Sequence, residues 1–210
     1  METALTSKYL DDLSPEDAIL AGARDAADEL GITPIDPAVG ALLKLTTATL
    51  AASAILEIGT GTGVSGLWLL RGAPTATLTS IDTELDHHSH ARAAFTQAGY
   101  AQAKVRLITG SANEILPRMN EASYDVVLVD ADPADRIEHV EHALRLVRAG
   151  GTVLVAHALL GGRVADPAQR GDVVADARAL LKELSASDAV AVAVSPAGDG
   201  LLHVTRLPEP

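Results

Sequence analysis

Short apolar runs recur along this chain, separated by stretches in which apolar residues fall three and four apart. A run that is apolar on both faces predicts a strand buried in a parallel sheet, and the wider spacing predicts a helix. Strands are expected at 55–58, 77–82, 105–109, 125–130, 152–156, 189–194 and 201–206, with 189–194 read as buried. A helix start at Ser14-Pro15-Glu16-Asp17 (a cap, a proline, then acids) predicts a helix from 14 to 30 ending at Gly31. A second begins at Asp36-Pro37 and carries Val39, Leu42, Leu43 and Leu45 on one side. Further helices are expected after the glycines at 59–66, over 86–98, as a short piece broken near Pro117, and over 136–147 and 167–184. Residues 1–13 are polar and expected to be loose, leaving 14–210 as one domain. The helices within 14–50 precede the first strand, so they pack on the sheet or lid a site, and 33–40 lies where it can border a ligand. Residues 196–200 are too few for a crossover, so 201–206 returns antiparallel.

The chain turns on Ile55-Leu56-Glu57-Ile58-Gly59-Thr60-Gly61-Thr62-Gly63-Val64-Ser65-Gly66. Strand, glycine turn and helix follow one another, and glycines there let the backbone approach a ligand where a Cβ would clash. The helix beyond offers free N–H groups and a positive dipole end. This is a nucleotide-type site at the first strand of a doubly wound sheet. Gly61 to Gly66 spells the dinucleotide spacing G-x-G-x-x-G, but two residues late, and that spacing does not require Glu57. Asp82 ends the second strand, where a carboxylate can accept from both ribose hydroxyls of an adenosine ligand. Asp130 and Asp132 follow the fourth strand and His157 the fifth, all on the carboxyl edge that faces the site. Small residues at Gly110-Ser111-Ala112 leave room for a flat ring. The fold class expected is α/β: a Rossmann-like, doubly wound, mostly parallel seven-stranded sheet with one antiparallel strand, helices on both faces and extra N-terminal helices.

Composition narrows the partners. A net charge of −12 over 210 residues argues against nucleic acid. No apolar run approaches a membrane span, and the N-terminus lacks a basic start followed by an apolar stretch, so a cytoplasmic protein is expected, with no membrane partner. With no cysteine there is neither a disulfide nor a thiolate metal site. His87, His88 and His90 do not share a helical face, and His139 and His142 do not form H-E-x-x-H; both groups read as solvated faces.

With these residues in view, the chain resembles the small S-adenosyl-L-methionine (SAM)-dependent O-methyltransferases related to catechol and caffeoyl-CoA methyltransferases. The likeness spans 33–206 and includes residues 56–65, Ile81-Asp82, Gly110 with Ile115 to Pro117, Val129-Asp130-Ala131-Asp132, Gly150-Gly151 and Gly198-Asp199-Gly200-Leu201. It implies cofactor contacts at Ile35, Glu57, Gly59, Thr60, Gly61, Ser65, Asp82, Ala112 and Asp130, with Ser65 on the methionine carboxylate. Cation-dependent members hold magnesium with the acid ending strand four and an Asp-Asn pair ending strand five, and use a lysine three residues after the first acid. Asp130 keeps the first ligand, whereas Ala156-His157 and Pro133 stand at the other positions. The hard oxygen cage is therefore incomplete, and a softer metal on Asp130, Asp132 and His157 is the only metal reading left.

Three functions follow. The first is methyl transfer from SAM to a hydroxyl of a small acceptor, with His157 as general base, Asp130 or Asp132 assisting at the acceptor, and the need for a divalent cation left open. The second is a SAM-binding protein without catalysis, since the usual chemistry residues are replaced. The third, a nicotinamide-dependent oxidoreductase, is opposed by Glu57 and the offset glycines. A homodimer through the N-terminal helices is expected by analogy.

Overall fold

The computed structural model describes residues 2–208. Its centre is one seven-stranded sheet in the order β3-β2-β1-β4-β5-β7-β6. The strands are β1 (Ala54–Ile58), β2 (Thr77–Asp82), β3 (Val105–Thr109), β4 (Tyr124–Val129), β5 (Val147–Val155), β6 (Val190–Ser195) and β7 (Leu201–Arg206). β1 to β5 pair in parallel, and β7 runs antiparallel to both β5 and β6, as the sequence predicts. Chain order reverses between β1 and β4, which opens a crevice at their carboxyl ends.

The strand period sorts the core into two layers. Ile55, Val126 and Leu128 face α2 (Ala18–Leu30), α3 (Pro37–Thr49), α4 (Val64–Gly72) and α5 (Leu85–Gln97). Leu56, Ile58, Val127 and Val129 face α7 (Arg136–Leu146) and α8 (Asp172–Ala186). Of the other helices, α1 is Glu2–Asp12 and α6 is the short Ala112–Ile115 before Pro117. No helix among the described residues is long and apolar enough to cross a membrane.

Four expectations are corrected. Residues 2–12 form a helix rather than a loose lead, and Asp11 at its end accepts from the Ala38 N–H of α3. α2 starts at Ala18 because Asp17, not Ser14, caps it, accepting from the Ile19 and Leu20 N–H groups. Glu16 is drawn away from the helix to Arg24 and to the Trp68 indole. The long helix begins at Asp172, not 167, because Arg178 donates to the carbonyls of Arg163, Val164, Asp166 and Gln169 and holds that segment as coil. β6 is not buried: it is the sheet edge, with one neighbour, and Ala191, Ala193 and Val194 are exposed.

The N-terminal helices reach the crevice. Thr62 of the glycine loop donates to the Ala23 carbonyl of α2 at 2.7 Å. Arg24 donates to the Ile35 carbonyl at 2.9 Å, which fixes the segment between α2 and α3 against the loop.

Candidate functional site

The glycine turn after β1 is shaped by contact with β4. Gly59 adopts φ +96°, and a Cβ built on it would lie 1.8 Å from the Asp130 carbonyl oxygen. Only glycine lets β1 and β4 close to this distance while the chain turns. Gly63, at φ +93°, then caps α4, whose free N–H groups face the crevice.

The crevice is a cavity of about 320 Å³. Gly59, Thr60, Gly61 and Ser65 form its floor. Ile35 closes one side and Ala112 another, with Asp82 and Asp130 at the ends of β2 and β4. Asp132 also borders it, while Glu57 lies beneath the floor and His157 lies outside the cavity wall. The residues expected from β1 to β4 are thus brought together around one space, and His157 stands beyond Asp130.

Glu57 is fully buried. It accepts from the Ser65 hydroxyl at 2.7 Å and from the Ser80 hydroxyl at 2.5 Å. Burial pushes its carboxyl up to about 8; the two serine hydroxyls pull the other way, and Asp130 and Asp82 push further up. The Ser65 hydroxyl thus joins the cavity floor to the buried Glu57.

Asp82, at the end of β2, borders the cavity and is held by its neighbours. One oxygen accepts from the Thr60 and Gly61 N–H groups at 3.0 and 2.9 Å. The other accepts from Glu84 N–H at 3.0 Å and lies 3.1 Å from His87 Nδ1. These bonds let Asp82 prop the glycine loop at the cavity edge.

On the other side of the cavity, burial raises the Asp130 carboxyl, with His157 and Arg136 opposing. His157 Nε2 lies 3.7 Å from Asp130 Oδ1, and Nδ1 lies 3.9 Å from Asp199 Oδ2. The residue sits at φ +52°, uncommon outside glycine. Its carbonyl accepts from Arg136 at 3.3 Å. Asp132 spends one oxygen capping the turn at Ala134. Among the described residues, no group of three or more His, Asp or Glu side chains is placed to share a metal ion, and Ala156 offers no donor. Asp130 instead has the His157 imidazole and the Arg136 guanidinium beside it.

Three residues of the site escape a first reading of the sequence. His88 is buried under the glycine loop, and His139 is buried in the cavity wall, its Nδ1 without a hydrogen-bond partner. Neither is on a solvated face. Arg136, one helical turn before His139, is also buried, beside Asp130, Asp132 and Asp199. The signal was available: Arg136, His139, Val140 and Ala143 share the buried stripe of α7.

The carboxylates bordering the cavity are Asp82, Asp130, Asp132 and Asp135, beside the imidazoles of His87 and His139; among the described residues neither lysine nor arginine borders it. The space suits a ligand bearing positive charge and repels a diphosphate.

Comparison with known proteins follows the geometry. Residues 14–207 match the O-methyltransferase family. A Mycobacterium tuberculosis protein named as a probable O-methyltransferase is 45% identical over 192 residues, covering 91% of this chain and 86% of the relative. A crystal structure from Corynebacterium glutamicum superposes with TM-score 0.92 at 31% identity, covering 100% of this chain and 99% of that one. The O-methyltransferase TomG of Streptomyces achromogenes, involved in tomaymycin synthesis and solved with SAM, gives TM-score 0.85 at 31% identity, covering 97% and 96%.

Proposed function

The chain belongs to the O-methyltransferase family and is a SAM-dependent O-methyltransferase; from that premise we propose that it methylates a hydroxyl of a small acceptor without a divalent cation, with His157 as general base. The observation that carries the reading is the acid-lined cavity on the glycine turn, free of lysine and arginine. SAM brings a sulfonium and an ammonium group, and these charges match such walls, whereas a nicotinamide dinucleotide would place its diphosphate against them.

The protein's task is alignment and proton removal. The glycine floor, with the Glu57 carboxyl beneath it, receives the amino-acid end, and Ile35 and Ala112 flank the remainder. Asp130, backed by His157 and Arg136, faces the acceptor side. His157 takes the acceptor's proton as the oxygen–carbon bond forms and the carbon–sulfur bond breaks, leaving a neutral thioether. Metal independence is supported by the neighbours of Asp130, the His157 imidazole and the Arg136 guanidinium, the latter a cation that disfavours a second one beside it.

The test is calorimetric titration of chelator-treated protein with S-adenosylhomocysteine (SAH), with NAD as control. Saturable SAH binding unchanged by added Mg²⁺ or Mn²⁺ is expected, with none for NAD. Binding that requires the metal would sink metal independence, and NAD binding would sink the ligand assignment.

A homodimer through the N-terminal helices belongs to the same reading, supported by Leu5, Tyr9, Leu13 and Leu45, each at least 60% exposed. Light scattering should give about twice the chain mass of 21.6 kDa; the chain mass itself would refute the dimer.

A further inference from the structure

A chain of side-chain hydrogen bonds runs under the glycine turn from Glu57 to the end of β3. Ser80 Oγ lies 2.5 Å from Glu57 Oε2, and Thr60 Oγ1 lies 2.6 Å from Ser80 Oγ. His88 Nε2 lies 3.2 Å from Thr60 Oγ1, and His88 Nδ1 lies 2.9 Å from Thr109 Oγ1. Glu57 and Ser80 are fully buried, and Thr60 and His88 nearly so, so water does not replace these partners.

Each hydroxyl has one proton, so the bonds cannot be oriented independently. With Glu57 ionised, Ser80 donates to it and Thr60 donates to Ser80. Thr60 can then only accept from His88, which must carry its proton on Nε2 and accept at Nδ1 from Thr109. With Glu57 protonated and donating to Ser80, every bond reverses, and His88 carries its proton on Nδ1.

We propose that His88 is a positioning residue for the cofactor: through Thr60 and Ser80, its tautomer sets the direction of the chain, and so whether Glu57 is presented as a carboxylate. Only the carboxylate form attracts the ligand's ammonium group, and donation from Nε2 supports that form.

The surroundings make the balance close. Asp130 at the end of β4 and Asp82 at the end of β2 face Glu57, and both disfavour its charge. Glu57, pushed up to about 8, ionises within the range of ordinary assays. Asp82 from β2, and Arg92 and His87 from α5, face His88, and burial pushes its imidazolium form down, so the ring changes tautomer rather than charge. Because ligand binding needs the Glu57 carboxylate, affinity rises with pH towards about 8, above which loss of the ligand's ammonium proton opposes the rise. Losing the His88 donor moves that rise to higher pH.

The experiment is ¹⁵N-histidine NMR of the full ligand-free chain between pH 6 and 9. We expect His88 to pass from the Nδ1–H to the Nε2–H pattern as pH rises. SAH at pH 7 should drive it to Nε2–H, and Glu57→Gln, which cannot ionise, should make the His88 tautomer independent of pH. In parallel, His88→Phe should weaken SAH binding about three- to tenfold at pH 7 and converge on wild type by pH 9, with His88→Gln in between. A single His88 tautomer at all pH values in wild type would overturn the proposal. So would a His88→Phe loss that is equal at every pH. The inference rests on the SAM reading only for its ligand arm: a pH-driven tautomer change without SAH binding would uphold the relay and sink that reading instead.

Discussion

Alanine at position 59 is expected to cost roughly 4 kcal/mol or more of unfolding free energy and to abolish SAH binding in the fraction that folds. The new Cβ would lie 1.8 Å from the Asp130 carbonyl oxygen and 2.7 Å from its carbon, so backbone must move. The backbone is poorly able to do so. Gly59 N–H donates to the Ile81 carbonyl at 2.9 Å, and Asp130 N–H donates to the Ile58 carbonyl at 2.8 Å. Three adjacent strands are tied together at the point of collision. The conformation adds to the cost, since φ +96° is foreign to alanine. Gly61→Ala is the control: its nearest new neighbour is Ile32 Cγ2 at 3.8 Å, and φ +49° is tolerable, so about 1 kcal/mol is expected. Urea unfolding of both variants checks this. A Gly59→Ala protein within about 1 kcal/mol of wild type would show that β1 and β4 are not locked at this contact.

The parts of this molecule that a sequence exposes are those whose signal is local. The central strands β1 and β4 are largely apolar on both faces because helices cover both, so they could be placed within a residue. The terminal hairpin followed from a connection too short for a helix. The failures are of another kind. Ser14-Pro15-Glu16-Asp17 contains two competing caps, and the choice of Asp17 depends on Glu16 finding Arg24 and Trp68, the latter more than fifty residues away. β6 carries a core strand's composition, yet its burial is set by its place at the edge. The histidines misled most. His88 and His139 sit among polar neighbours in sequence, but each lies on the inner side of its helix, where a polar network or the cavity receives it. Their exposure depends on how α5 and α7 rotate against the sheet. Asp82 shows the limit for a correctly located residue: its position was legible, but not the four donors that already occupy it.

The second large effect concerns His157. Its replacement by alanine is expected to lower kcat by about 10²–10⁴-fold with little change in SAH affinity. The split follows from geometry. His157 is outside the cavity wall, so cofactor binding does not depend on it. It stands beyond Asp130, between that carboxylate and Asp199, where an imidazole that takes up a proton is compensated by acids on two sides. The backbone must be separated from the base. Histidine is better tolerated than alanine at φ +52°, so His157→Ala carries a small folding cost beside the lost base, and its unfolding free energy is measured alongside. His157→Asn is the stricter variant, because asparagine tolerates this conformation and keeps polarity without being a base near neutral pH. Both should be equally slow in chelator-treated buffer against a panel of small hydroxylated acceptors, measured as SAH release, and added imidazole should restore part of the His157→Ala rate. Undiminished turnover in His157→Ala would remove the base from the mechanism. A rate lost in His157→Ala but kept in His157→Asn would assign His157 to holding the turn after β5, and the proton would then have to leave through Asp130 or Asp132.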